Sequence, residues 1–201
     1  MTERDGIFAG NNPFDLCSSW LDEAKKTEIN DSNAIALATV GDDGLPNVRV
    51  VLLKSIEDDA FVFYTNYRSQ KGLELQTTGK AAFVLHWKSL RRQIRVRGGA
   101  MKENGPIADE YFASRNLQSR IGAWASEQSS TIESREALFQ RVEQFSTKFG
   151  DSPKRPPHWG GFRIKPLEIE FWSEGDFRLH QRYRWSRSNL ESPWKVNLLA
   201  P

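Results

Sequence analysis

Five short apolar runs follow one another between Ala34 and Met101: "AIALATV", "NVRVVLLK", "AFVFYTN", "KAAFVLHW" and "RQIRVRGGAM". Each has the β-branched and aromatic character of a strand. Turn chemistry such as "GDDGLP" separates the first two, and a short helix, "SQKGLELQ", stands between the third and fourth. Strands that do not alternate regularly with helices cannot build a Rossmann unit, so antiparallel pairing is expected. Three more strand-like segments, "FRIKPLEIEFW", "FRLHQRYRW" and "WKVNLLA", close the chain. The expected class is α+β, with a small closed antiparallel barrel and a few flanking helices.

The helices have their own signals. "NNPFDLCSSWLDEAKK" offers Asn12 as cap, Pro13 at the first helical position, and a stripe of Phe14, Cys17, Trp20, Leu21 and Ala24. "IADEYFASR" reads as a helix, and so does "STIESREALFQRVEQFSTKFG". In the latter a capping box is expected from Ser130 to Glu133, the stripe is Leu138, Val142, Phe145 and Phe149, and Gly150 ends it. The proline-rich "DSPKRPPHWGG" is a loop. A chain of 201 residues is most simply one domain, 1–201, with 1–12 as a flexible N-terminal segment.

Several chemistries are disfavoured. Neither G-x-G-x-x-G nor G-x-x-x-x-G-K-[ST] occurs, so a nucleotide would not be held by those loops. One cysteine and three scattered histidines leave no disulfide and no expected metal site. A net charge of +2 argues against a general nucleic-acid coat. No stretch approaches the roughly 20 apolar residues of a membrane span and the start has no signal-peptide core. A cytoplasmic protein without a membrane partner is expected.

Four basic runs and one helical segment remain to be explained. "RLHQRYRWSR" carries four arginines and a histidine in ten residues. Read as a strand, it puts Arg178, His180, Arg182 and Arg184 on one face. Glu168 and Glu170, across a hairpin turned by "SEGD", could pair with part of that row; the rest calls for solvent or a bound anion. In "NVRVVLLK", Arg49 and Lys54 are five residues apart, so either a bulge intervenes or they serve different anions. "YTNYRSQKG" sets Ser69 as cap and Lys71 in the first turn of a helix, an arrangement suited to a phosphate. "RRQIRVRGG" is a half-buried strand whose polar face holds Gln93, Arg95 and Arg97. In "YFASRNLQSRIGAWASEQSS", Tyr111, Arg115 and Ser119 recur every four residues, so a continuous helix would present them as a column able to grip a phosphate dianion. Two phosphate sites, several aromatics and no metal suggest a phosphorylated cofactor and a phosphorylated substrate.

Taken in order, "RVVLLK", "FVFYTNYRSQKG", "HWKSLRRQIRVRG", "YFASRNLQSRIGAWASEQS", "HWGGFRI", "IEFW" and "RLHQR" resemble the pyridoxamine 5′-phosphate oxidase family, from about Pro13 to the closing "LAP". The resemblance implies an FMN-binding split β-barrel of Greek-key type and a homodimer with FMN between the subunits. It implies oxidation of pyridoxamine or pyridoxine 5′-phosphate by O₂ to pyridoxal 5′-phosphate, with release of H₂O₂. By the same resemblance Arg49, Ser69 and Lys71 hold the FMN phosphate, with Gln70 where many members have a second arginine. Tyr64, Thr65, Gln93, Gln128, Ser129, Trp172 and Arg182 complete the flavin site, with Lys71 and the Gln128–Ser129 pair expected from opposite protomers. Lys54, Tyr111, Arg115 and Ser119 match the substrate-phosphate positions. Arg178 and His180 match the catalytic residues that close over the pyridine ring. Asp31 aligns with a site carboxylate, in a stretch that also reads as a turn. An N-terminal Arg-x-x-Tyr lid has no counterpart in "MTERDGIFAGNNPFDL". The alternatives are a related flavin oxidase of the phenazine-biosynthesis type and a single-stranded nucleic-acid module using "RYRWSR".

Overall fold

The structure, a computed structural model, describes residues 4–201. Helix α1 spans Pro13–Thr27, and Asn12 Oδ1 accepts from the Phe14 amide at 2.9 Å to cap it. Its expected apolar stripe is buried, together with Leu16. In the segment ahead of it, expected to be flexible, Phe8 is buried while Asp5, Gly6 and Ala9 to Asn12 are exposed. Phe8 is only 2% exposed, with its ring 5.4 Å from Trp20 and 4.8 Å from Tyr183. Trp20 Nε1 also donates to the Ile7 carbonyl at 2.8 Å. One buried aromatic and one hydrogen bond pin this segment; residues 1–3 lie outside the described part.

The five consecutive runs become β1 (Ala34–Val40), β2 (Pro46–Ile56), β3 (Phe61–Asn66), β4 (Lys80–Trp87) and β5 (Arg92–Glu103), with helix α2 (Gln70–Thr78) between β3 and β4. Helices α3 (Pro106–Ser114), α4 (Leu117–Ala125) and α5 (Arg135–Phe149) follow, then β6 (Trp159–Ser173), β7 (Gln181–Ser186) and β8 (Lys195–Leu199). The strand order is β3-β2-β1-β4-β5-β6-β7-β8, and β3 also pairs with β6, which closes six strands into a barrel. Because β4 returns beside β1 after the β1–β2–β3 meander, the connection is a Greek key.

Strand β6 is long enough to belong to two layers. Its Trp159–Ile164 half closes the barrel against β3, and its Glu168–Ser173 half carries β7, which carries β8. The register against β5 shifts between Arg97 and Gly98. A Cβ at Gly98 would sit 2.1 Å from the Lys165 carbonyl oxygen, so only glycine allows the two strands this approach. The barrel interior is filled by Ile35, Leu37, Phe61, Phe63, Leu85, Ile94 and Phe171, and Trp20 of α1 and Trp185 of β7 join the same core.

Three local expectations are corrected. The expected helix through Tyr111, Arg115 and Ser119 is broken: Arg115 is extended (φ −72°, ψ 151°), and Asn116 Oδ1 accepts from the Gln118 amide at 2.9 Å to start α4. Helix α5 is capped by Ser134, whose Oγ accepts from the Ala137 amide at 3.0 Å, while Ser130 lies in a preceding turn with its amide on the Glu127 carbonyl. Arg178 and His180 precede β7 instead of lying on it. Residues Asp176–Arg178 form a tight turn, with Phe177 at φ 55° and Arg178 at φ 65°, closed by the Leu179 amide on the Asp176 carbonyl at 2.9 Å. The shared face of four basic residues is therefore cut to its β7 members. Among the described residues, no helix is long and apolar enough to cross a membrane.

Candidate active site

The cavity that matters is bounded by β2, β3, α2, the α3–α4 break and the start of β6, and holds about 880 Å³. That lies within the roughly 300–1,000 Å³ of ordinary small-molecule sites. Among the described residues four cations line it, Arg49, Lys54, Lys71 and Arg115, and no carboxylate does.

Lys71 is placed by the junction of β3 and α2. Ser69 Oγ accepts from the Gly72 amide at 3.3 Å and donates to the Asn66 carbonyl at 2.6 Å, which caps the helix. A Cβ at Gly72 would come within 2.5 Å of the Tyr67 carbonyl oxygen, so glycine is required for α2 to start this close to the strand. Lys71 Nζ donates to Ser69 Oγ at 3.3 Å and Thr65 Oγ1 at 3.4 Å. Burial holds its ammonium below the usual lysine value; neighbouring Arg49 adds to that and Glu74 opposes it. Arg49 and Lys54 reach the same cavity despite their odd spacing because both faces of β2 line it, Val48, Val50 and Leu52 on the parity of Lys54 as well as Asn47 and Val51 on that of Arg49.

Tyr111, Arg115 and Ser119 also meet in the cavity, although not as a helical column. The break between α3 and α4 turns them inward from three different pieces of backbone. The Tyr64 and Tyr111 rings lie 4.0 Å apart at 19°, and Trp159 lies parallel to Tyr64 at 5.5 Å. The Arg115 guanidinium sits 4.7 Å from the centre of the Trp159 ring, and its Nη1 is buried with no hydrogen-bond partner among the described residues. Burial lowers its pKa from the ordinary arginine value, partly offset by Tyr111. A buried cationic donor left unpaired is costly and calls for an anion.

Residues 21–149 match the family model "Pyridoxamine 5'-phosphate oxidase", and residues 159–201 match "Pyridoxine 5'-phosphate oxidase C-terminal dimerisation region". The chain belongs to the pyridoxamine 5′-phosphate oxidase family.

Relatives within the pyridoxamine 5′-phosphate oxidase family cover its whole length. A pyridoxine/pyridoxamine 5′-phosphate oxidase of Roseobacter denitrificans is 62% identical, covering 100% of both chains. One from Brucella canis is 54% identical, covering 98% of each. Among solved structures, PhzG from Burkholderia lata, in complex with tetrahydrophenazine-1-carboxylic acid, superposes with a TM-score of 0.89 at 33% identity, covering 96% of this chain and 94% of that one. A pyridoxamine 5′-phosphate oxidase-related, FMN-binding protein from Nostoc punctiforme shares the fold, with a TM-score of 0.76 at 17% identity, covering 96% of this chain and 100% of that one.

The residues that resemblance to this oxidase family had singled out fall into two groups. Tyr64, Thr65, Gln70, Gln128 and Ser129 line the cavity with the four cations. Ser69 stands one layer behind as the helix cap, and Gln70 Nε2 is turned to Glu74 Oε1 at 3.0 Å. Lys71 and the Gln128–Ser129 pair share one chain's cavity, with Thr65 Oγ1 donating to Gln128 Oε1 at 3.5 Å; the expectation that they come from opposite protomers is corrected. Asp31 is an exposed turn residue at φ 44°, outside the cavity, its carbonyl accepting from the Ala34 amide.

The second group is elsewhere. Gln93, Trp172 and Arg182 are cross-strand neighbours on β5, β6 and β7, and the His180 ring lies 4.7 Å from Trp172. Arg178 is on the turn just before them, and none of the five lines the large cavity. Within the chain the anion for Arg182 is Glu170, a buried carboxylate that its Nε and Nη2 reach at 2.9 and 2.8 Å, while its Nη1 donates to the Ala200 carbonyl. Sequence reading passed over Trp159, Asn47 and Glu74. Trp159 stood in the quoted "HWGGFRI", where the adjacent glycines signalled close packing; the other two carried no local signal.

Proposed function

We propose that the protein is an FMN-dependent oxidase that converts pyridoxamine 5′-phosphate or pyridoxine 5′-phosphate to pyridoxal 5′-phosphate, with O₂ as oxidant. The observation that carries this is the cavity itself, which among the described residues has four cations, no lining carboxylate and an unpaired buried nitrogen on Arg115. Such a site fits two phosphorylated ligands. Arg49 and Lys71, beside the N-terminus of α2, suit the FMN phosphate. Lys54, Tyr111, Arg115 and Ser119 suit the substrate phosphate, with Arg115 supplying the charge-assisted contact. FMN, when bound, supplies the redox chemistry, taking two electrons from the substrate and returning them to O₂ with release of H₂O₂. The chain's own residues bind and orient: the cations neutralise the phosphates, and the Tyr64–Tyr111–Trp159 stack walls the cavity against water.

The homodimer that goes with the dimerisation region completes the site in this reading. Gln93, Trp172, Arg178, His180 and Arg182 serve the cavity of the partner subunit, and FMN lies between the two chains. Two features support this. Those five residues lie outside their own chain's cavity, and the cavity rim exposes Val48 and Val50 by 66% and 68%, apolar surface that a second copy would cover. Nucleic acid has no part in this reading, because Trp185, the central aromatic of "RYRWSR", is buried in the core and cannot stack on bases. The ligand in the PhzG complex carries a carboxylate and no phosphate, whereas Lys54, Tyr111, Arg115 and Ser119 together favour a phosphorylated pyridine here. A cytoplasmic location goes with this reading.

The test is anaerobic. Pyridoxamine 5′-phosphate added to the yellow holoenzyme should bleach the flavin band, and air should restore it with formation of pyridoxal 5′-phosphate. A flavin band that stays unchanged with substrate in excess would overturn the proposal.

A further inference from the structure

We infer that Glu74 is the positioning residue of the cofactor-phosphate site, holding the Arg49 guanidinium in place, and that Gln70 serves Glu74 instead of the phosphate. The inference rests on the FMN reading given above. Glu74 lies on α2, is 6% exposed, and does not line the cavity. Being one helical turn after Gln70, it shares that residue's face.

Four side chains converge on this carboxylate. Oε1 accepts from Gln70 Nε2 at 3.0 Å and Asn47 Nδ2 at 3.2 Å. Oε2 accepts from Arg49 Nη2 at 3.2 Å and from the Thr39 hydroxyl. Arg49 Nη1 in turn donates to Thr39 Oγ1 and to the Leu37 carbonyl at 3.4 Å. Acceptors from β1 and α2 thus fix the plane of the guanidinium. These contacts use three of its five donors and leave the others for the cavity that Arg49 lines.

An anion beside an anion site opposes binding by charge alone, so its presence needs another reason. Without a phosphate, Arg49 and Lys71 repel each other, and Glu74 counters that repulsion. Burial pushes the Glu74 carboxyl up, but hydrogen bonds from Thr39, Gln70 and Asn47 and the charge of Arg49 outweigh it, and the group stays below the usual glutamate value. An ionised, fully bonded carboxylate is a rigid anchor. A guanidinium already fixed in its bound orientation loses less side-chain freedom when the phosphate arrives. Gln70 is committed to the same anchor, which removes it from the phosphate's direct partners.

The experiment compares two flavins that differ only in the phosphate. Flavin-free dimer prepared from the holoenzyme is titrated with FMN and with riboflavin, following the quenching of flavin fluorescence. The dissociation constant for riboflavin divided by that for FMN measures the grip on the phosphate. Glu74→Gln should weaken FMN about tenfold while leaving riboflavin unchanged, since the loss is one charge-assisted contact to Arg49. Thr39→Val, which removes another Arg49 partner without altering charge, should lower the ratio in the same direction. A Glu74→Gln ratio that is unchanged, because both flavins bind as before or weaken together, would make the role merely structural and overturn the inference. A ratio that rises would show Glu74 acting only as a repelling charge, which also overturns it. Should Glu74→Gln fail to fold, an unchanged ratio in Thr39→Val overturns the inference by itself. Wild-type protein that does not prefer FMN over riboflavin would refute the FMN reading, a result distinct from all of these.

Discussion

Arg115 shows how one side chain can be found for a reason that turns out to be wrong. The four-residue spacing of Tyr111, Arg115 and Ser119 suggested a helical column, but Arg115 is the extended link between two short helices. The three groups still meet, lining one cavity from either side of the break. Arg115→Ala removes a contact worth about 1.5–3 kcal/mol, roughly 10- to 150-fold in affinity. The KM for pyridoxamine 5′-phosphate should rise by that range while the flavin stays bound, checked by steady-state kinetics beside the flavin absorbance. Lys54 is the complementary case. Strand parity puts it opposite Arg49, yet both faces of β2 line the same cavity, Val48, Val50 and Leu52 beside Lys54. A cavity that wraps both faces of one strand has no signature in "NVRVVLLK", so the alternatives could not be separated there.

Elements were easier to recognise than their ends. The strands β1 and β4 coincide with the runs "AIALATV" and "KAAFVLHW", because β-branched and aromatic residues in a short run bounded by turns are a local signal. The cap of α5 shifted from Ser130 to Ser134, since two serines four residues apart offer equivalent oxygens and only packing against α4 selects one. Where α5 packs, Trp124 faces Phe149 at 4.8 Å. Within the N-terminal segment, expected to be flexible, Phe8 inserts beside Trp20 and Tyr183. Phe8→Ala should therefore cost about 3–5 kcal/mol, the range for a buried aromatic. Urea unfolding would show it as a lower midpoint with an unchanged slope, whereas a frayed segment would leave the midpoint where it is. The turn before β7 carries two successive non-glycine residues at positive φ, Phe177 and Arg178, a conformation that has an energetic cost and is held by its surroundings.

At the scale of the whole molecule the two groups of site residues become one argument. Lys71 lines the cavity and Arg178 does not, so the shared-site reading assigns them to one flavin from opposite chains. If Lys71→Ala and Arg178→Ala are each nearly inactive as homodimers, a mixed dimer gathers both defects in one site and leaves the other intact. Co-expression with different tags, followed by isolation of the heterodimer, should recover about half the wild-type activity per dimer. A heterodimer as inactive as its parents would place both residues in a single chain's site. The strands, the caps of α1 and α2, the basic runs and the family resemblance were all legible in the sequence, because periodicity, capping and motif order depend on residues near one another in the chain. The pairing of Glu170 with the arginine row was legible too, across its hairpin. Closure of β3 onto β6 and the gathering of Thr39, Asn47 and Arg49 around Glu74 were not. Those depend on register and on which surfaces meet across the barrel. Such contacts join residues tens of positions apart, and they are selected by burial and hydrogen-bond satisfaction in the finished fold, which no local pattern encodes.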